Sequence, residues 1–149
     1  MKALNLPPYS PLLRMNGTKQ ELFDPLREKY VAATPEELVR QSFVNFLINH
    51  RGYPRNLMAN EVSLSLNGLR RRCDTVLYDI HVLPRMIIEY KRPTVPISQR
   101  VFDQVSRYNM VMHVDYLIVS NGISHYCCKM DYKNQCYTFL KEIPSYSDL

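Results

Sequence analysis

Apolar and polar residues alternate along Val62-Ser63-Leu64-Ser65-Leu66, the period of a strand with one buried face. Asn67-Gly68 follows as a tight turn, and Cys73 to Ile80 and Met86 to Lys91 read as two further strands. Ahead of them the period lengthens. Val39, Phe43, Phe46 and Leu47 form a helical stripe opened by Thr34-Pro35-Glu36-Glu37, where Thr34 caps, Pro35 suits the first turn and Glu37 completes a capping box. Gly52 and Pro54 end that helix. After Pro93 and Pro96 break the strand pattern, a second helix is expected from Ser98 to Met112, with Val101, Val105, Tyr108 and Met112 on one face. Asp115 to Ser120 is a short apolar strand closed by Asn121-Gly122, and Ile123 to Met130 with Gln135 to Phe139 forms a closing hairpin. Near the start, Asn16-Gly17 marks another hairpin, and Phe23-Asp24-Pro25-Leu26-Arg27 leads into a connector. The order is helix, three strands, helix, two or three strands. It predicts one α/β domain with a strand meander and a crossover helix, spanning 34–141. Residues 1–33 form an N-terminal hairpin appendage, and 142–149 form a loose tail.

Composition narrows the class. A chain of 149 residues, 46% hydrophobic and 22% charged, is ordinary for a globular domain with its own core. No apolar run approaches the ~18 residues a bilayer span needs. Met1 to Pro8 has no long apolar core of a secretory signal, so a cytoplasmic location is the expectation. Cys73, Cys127, Cys128 and Cys136 form no zinc-type pairing, and free thiols are expected. The net charge is +5, and from Leu66 to Met110 there are eight Lys or Arg against four Asp or Glu. A local excess of four positive charges suits a polyanionic partner.

That basic segment surrounds the candidate chemistry. Glu89 and Lys91 end an apolar strand two residues apart, so they point the same way. Asp74 lies on the preceding strand, where a carboxylate is costly unless paired, hydrogen-bonded or metal-bound. Two carboxylates, helped by the carbonyl of Tyr90, could hold a hard divalent cation, and Lys91 could position or deprotonate a water. The plain alternatives are a strand-edge Asp74 hydrogen-bonded to backbone or paired with Arg71 or Arg72, and a surface Glu89–Lys91 salt bridge.

Asp74 followed by Glu89-x-Lys91 resembles the PD-(D/E)xK nuclease core. The stretch from Thr34 to about Cys128 resembles the N-terminal nuclease domain of type I restriction endonuclease R subunits. The residues that carry this are Pro35-Glu36-Glu37-Leu38-Val39-Arg40-Gln41, Leu66-Asn67-Gly68-Leu69-Arg70-Arg71-Arg72-Cys73-Asp74, Ile87-Ile88-Glu89-Tyr90-Lys91-Arg92-Pro93, Gln104-Val105-Ser106-Arg107-Tyr108-Asn109 and Val119-Ser120-Asn121-Gly122. The resemblance implies a restriction-endonuclease-like fold, a central mixed sheet flanked by helices. It implies Mg²⁺-dependent hydrolysis of DNA, with Mn²⁺ as a substitute. Asp74 and Glu89 would bind the metal and Lys91 would be the catalytic lysine. Gln104 and Tyr108 would match the family's Gln-x-x-x-Tyr element, on one helix face. Glu37 would match a helix glutamate that assists metal binding, a role in competition with its capping box; core packing competes for Tyr108. Cys73 stands where the motif has its proline.

DNA phosphates would meet Arg70, Arg71, Arg72, Arg92 and Arg100, with Arg107 as a further candidate, although Arg70 to Arg72 also suit a solvated turn. No Gly-x-x-x-x-Gly-Lys-Ser/Thr is present, so a freestanding nuclease-like domain, or a piece or partner of something larger, is expected, working as a homodimer or with a separate specificity or motor subunit. A non-catalytic nucleic-acid-binding or assembly module is the alternative function. A small α/β protein with salt-bridged carboxylates and no nucleic-acid role is the third.

Overall fold

The computed structural model describes residues 3–149; Met1 and Lys2, the first residues of the expected appendage, lie outside it. Six strands form the main sheet in the order β4-β5-β6-β7-β8-β9: β4 Met58–Leu66, β5 Leu69–Tyr78, β6 Pro84–Tyr90, β7 Tyr116–Ser120, β8 His125–Asp131 and β9 Cys136–Leu140. Neighbours are antiparallel except β6 and β7, which run parallel. That exception is made by α2, Gln99–Met112, the crossover between them. Helix α1, Pro35–His50, packs on the other face.

The central strands are apolar on both sides, as two covered faces require. Alternation then sorts them. Ile88, Tyr90, Tyr116 and Ile118 join Val39, Phe43 and Leu47 of α1. Ile87 meets Met112 of α2, while Leu117 and Val119 meet Phe102 of α2. The α2 stripe is displaced from the expected one: Phe102, Ser106, Asn109 and Met112 are its buried residues, and Tyr108 is 44% exposed. Two of the buried residues are polar and bond locally, Ser106 Oγ to the Asp103 carbonyl at 2.8 Å and Asn109 Nδ2 to the Val114 carbonyl at 3.3 Å. Hydropathy could not mark them as inward.

The N-terminal unit is a three-stranded antiparallel sheet, β1 Leu13–Asn16, β2 Lys19–Asp24 and β3 Lys29–Ala32. The expected hairpin turns at Gly17, φ +64. The expected connector is instead a turn into a third strand. Buried Asp24 builds it, accepting the Leu26 N–H at 2.8 Å and pairing with Arg27. It also accepts from Asn60 Nδ2 of β4 at 3.0 Å, which ties this unit to the main sheet.

Both ends of the described residues are docked. The tail is not loose: Ile143 is 8% exposed in the α1-side core, the Pro144 carbonyl accepts from Tyr53 Oη at 3.0 Å, and the Arg51 carbonyl accepts from the Tyr146 N–H at 2.8 Å. At the other end the Asn5 N–H donates to the Gly122 carbonyl at 2.7 Å. Gly122 sits at φ +85, and a Cβ there would lie 2.7 Å from Leu4 Cδ2 and 3.1 Å from Val39 Cγ2. Gly122→Ala therefore costs a left-handed backbone and a crowded contact, roughly 2 kcal/mol or more. We expect thermal melting to fall by about 4–8 °C for a domain this size.

Candidate functional site

The site lies where two strands part. The β5–β6 ladder ends at the Thr75–Ile88 pair. Beyond it, Leu69 to Cys73 stay paired with β4 alone, and Glu89 and Tyr90 stay paired with β7 alone. Past the end of the ladder the Tyr90 N–H has lost its β5 partner, and the Asp74 carboxylate takes it, Oδ2 accepting at 2.9 Å. Asp74 is thereby held beside Glu89.

Asp74 is also freed on its other side. The β4–β5 ladder omits the Glu61–Asp74 pair, and Glu61 has φ +57, a left-handed conformation that costs a non-glycine residue about 1 kcal/mol or more. Arg40 of α1 holds this irregularity together. Its Nη1 donates to the Asp74 carbonyl at 2.9 Å, its Nη2 pairs with Glu61 at 2.8 Å, and its Nε pairs with Glu37 at 2.7 Å. Arg72 grips the second Glu61 oxygen at 2.7 Å.

Two carboxylates brought together without a cation repel. Burial first, and then the Asp74 charge, push Glu89 up to about 8, while Arg71 and Lys91 oppose the rise. Arg71 Nη2 pairs with Glu89 Oε1 at 2.5 Å, and its guanidinium carbon lies 5.3 Å from the centre of the Tyr108 ring. The Arg71 Nη1 is buried and has no hydrogen-bond partner.

The raised Glu89 fixes a pH dependence. The folded state keeps the proton that an unfolded glutamate, near 4.3, has already released, so stability falls as pH rises between those values. Half-buried His125 works in the opposite sense, but only below its unfolded value of about 6.5. Between pH 6.5 and 8 the metal-free protein should lose up to about 1.4 kcal/mol per pH unit. Urea midpoints for the wild type and Glu89→Gln check this; the variant should show little of the slope.

The other expected site residues are placed as follows. Lys91 is half-buried just past β6, anchored by its N–H to the Ser120 carbonyl at 2.9 Å. Glu37 is 4% exposed and does not stand with Asp74 and Glu89. Arg27 and Arg40 take its oxygens at 2.5 and 2.7 Å. Its capping box is half made: Thr34 Oγ1 accepts the Glu37 N–H at 3.1 Å, but the Thr34 N–H donates to the Ala32 carbonyl. The helix acid that feels the site is Glu36, raised by desolvation and then by Asp74, and lowered by Lys91. Extending the stripe of Val39 and Phe43 back by three residues reaches Glu36, a signal the sequence contains.

Gln104 and Tyr108 line a concavity of about 790 Å³ on α2, with Leu69, Arg100, Asp103, Arg107 and Val111. Tyr108 joins it to the carboxylates through Arg71. The basic run is strand, not turn: Arg70 and Arg72 are exposed on β5, Arg72 pairs with Glu61, and Arg71 points into the site. Arg92 and Arg100 are exposed. Among the described residues, no three His, Cys, Asp or Glu side chains group to hold a metal. Cys73, Cys127 and Cys128 are buried thiols and Cys136 is exposed. No helix of the described residues is long and apolar enough to cross a membrane.

The family model for the type I restriction enzyme R protein N terminus matches residues 35–144. Among solved structures, the chain is similar to a fragment of an HsdR subunit of a type I restriction enzyme from Vibrio vulnificus YJ016. That match has 17% identity and a TM-score of 0.53, covers 75% of this chain and 24% of the other, and shows a shared fold. The chain thus spans about a quarter of that protein chain's length. No curated protein matches the sequence.

Proposed function

The chain belongs to the family of type I restriction enzyme R protein N termini, and from that premise we propose that it is a Mg²⁺-dependent DNA endonuclease. The observation that carries the reading is the pairing of Asp74 with Glu89 at the end of the β5–β6 ladder, with Lys91 two residues on. The donor set fits a small hard cation. Mg²⁺ is usually held by one or two carboxylates, its own waters and substrate phosphate oxygens, so two acids without a third are enough. Burial first, and then the neighbouring Asp74, raise Glu89, and such a cation relieves both by offsetting the carboxylate charge.

Asp74 and Glu89 would hold the metal, which supplies charge stabilisation at the phosphate and a more acidic water. Asp74 is fixed for this by the Tyr90 N–H and by Arg40 on its carbonyl. Lys91 would orient the attacking water, take its proton and offset charge growing on the phosphorus oxygens. Tyr108 and Gln104 would present the DNA-facing side of α2, with Arg100 and Arg107 beside them. Arg70, Arg72 and Arg92, all exposed, would add sequence-independent phosphate contacts. One site cuts one strand, so a double-strand break needs two copies or two events.

Incubating the purified chain with supercoiled plasmid and Mg²⁺ or Mn²⁺ tests this. Nicked product that EDTA abolishes is expected. Folded protein that cuts no form of DNA with either metal overturns the reading. The Arg71–Glu89 ion pair favours one second reading, a DNA-binding or assembly module whose acids are permanently neutralised. It predicts binding without hydrolysis, unchanged by substitutions at Asp74, Glu89 and Lys91.

A further inference from the structure

Arg71 is the side chain that the nuclease reading leaves unexplained. It is nine-tenths buried between the carboxylates and α2, and only one of its terminal nitrogens has a partner. Buried guanidinium donors are costly to leave unpaired. An orphan donor beside a candidate reaction centre points to a partner supplied from outside. The group that would complete a guanidinium fork is planar or tetrahedral and anionic, with two oxygens spaced for two parallel bonds. Glu89 now occupies one of those positions, at 2.5 Å from Nη2. Tyr108 lies against the guanidinium at 5.3 Å, so the buried Nη1 has a ring beside it and no oxygen acceptor of its own.

We propose that Arg71 is the residue that grips the phosphodiester to be cut, and that Glu89 stands in for that phosphate until DNA and a divalent cation arrive. This rests on the nuclease reading and assigns its substrate contact. With Glu89 turned to a cation that it and Asp74 would hold, both terminal nitrogens of Arg71 would be free for two oxygens of the phosphate. Asp74 and Glu89 have no such donor to offer, and Lys91 is a point charge without the fork. Arg71 thus separates from the surface arginines. Arg70, Arg72, Arg92 and Arg100 attract any phosphate, whereas Arg71 recognises the one beside the metal.

DNA binding measured with and without Ca²⁺, which favours the same oxygen ligands, distinguishes these roles. In EDTA, Arg71→Ala and Arg71→Lys should bind a duplex within about twofold of the wild type, because Arg71 is engaged by Glu89 there. Ca²⁺ should tighten wild-type binding about tenfold, Arg71→Lys only partly, and Arg71→Ala hardly at all. In Mg²⁺, cleavage by Arg71→Ala should fall about 100-fold and recover in part with added guanidinium ion. Arg71→Lys keeps a cation for Glu89 and reports on the fork if the alanine variant is unstable. Wild type that cleaves while Arg71→Ala and Arg71→Lys cleave equally well and keep the Ca²⁺ increment overturns this assignment alone. Wild type that is folded and cleaves nothing overturns the nuclease reading and this assignment together.

Discussion

Asp74→Asn should lower metal-dependent cleavage by about 10³-fold or more while leaving the fold intact. Asparagine keeps an oxygen that accepts the Tyr90 N–H, so the end of the ladder stays closed. What it removes is one of the two charges the cation would need. Asp74→Ala is the less informative variant, because it also strands a backbone donor in a half-buried position, at roughly 1–3 kcal/mol. Single-turnover cleavage, with urea midpoints as the control on folding, checks the claim. A variant as active as the wild type would remove Asp74 from the chemistry.

Arg40→Ala should be the most destabilising single change in the site, by about 3–5 kcal/mol. Three acceptors lose their donor at once. Glu37 is left buried with Arg27 and the Gln41 amide, at 3.4 Å, as its remaining partners. Glu61 loses one of the two arginines that hold its left-handed backbone, and the Asp74 carbonyl has no ladder partner to fall back on. Arg40→Lys should restore little, since one ammonium cannot span three acceptors on α1, β4 and β5. Urea denaturation measures the loss. Cleavage should fall as well, because Arg40 sets the backbone that carries Asp74.

Much of this was legible in the sequence because hydrophobic runs and turn residues spoke for themselves. Met86-Ile87-Ile88 and Tyr116 to Val119 could only be central strands, and Asn67-Gly68 turns with positive φ at both residues, 50 and 79. Asp74 and Glu89 were found by the same logic, as acids on strands that should have none. Other parts were hidden by side chains whose partners are far away in the chain. Glu37 reads as a cap or a ligand until Arg27 and Arg40 arrive to claim it. Arg71 looks like one of three solvated arginines until the strands part and leave it facing Glu89. The third N-terminal strand has no buried residue, so its pattern carried no burial signal; the buried Asp24 that shapes its turn shows only in three dimensions. The tail lacks periodicity, although Ile143 is buried in the core and Tyr146 and Leu149 pack against it.

The parting of β5 from β6 has a mechanical side. Past that point the β4–β5 hairpin is a two-stranded arm, a form with little stability of its own. It is steadied by half-buried Val62, Leu64 and Leu69 and by buried Cys73, beside Met112 at the end of α2. Arg71 rides on the arm and Glu89 on the rigid sheet, so the two halves of their ion pair belong to parts of the protein with different compliance. Any movement of that hairpin relative to β6 would separate them, against the apolar cluster under the arm and the Glu61 ion pairs.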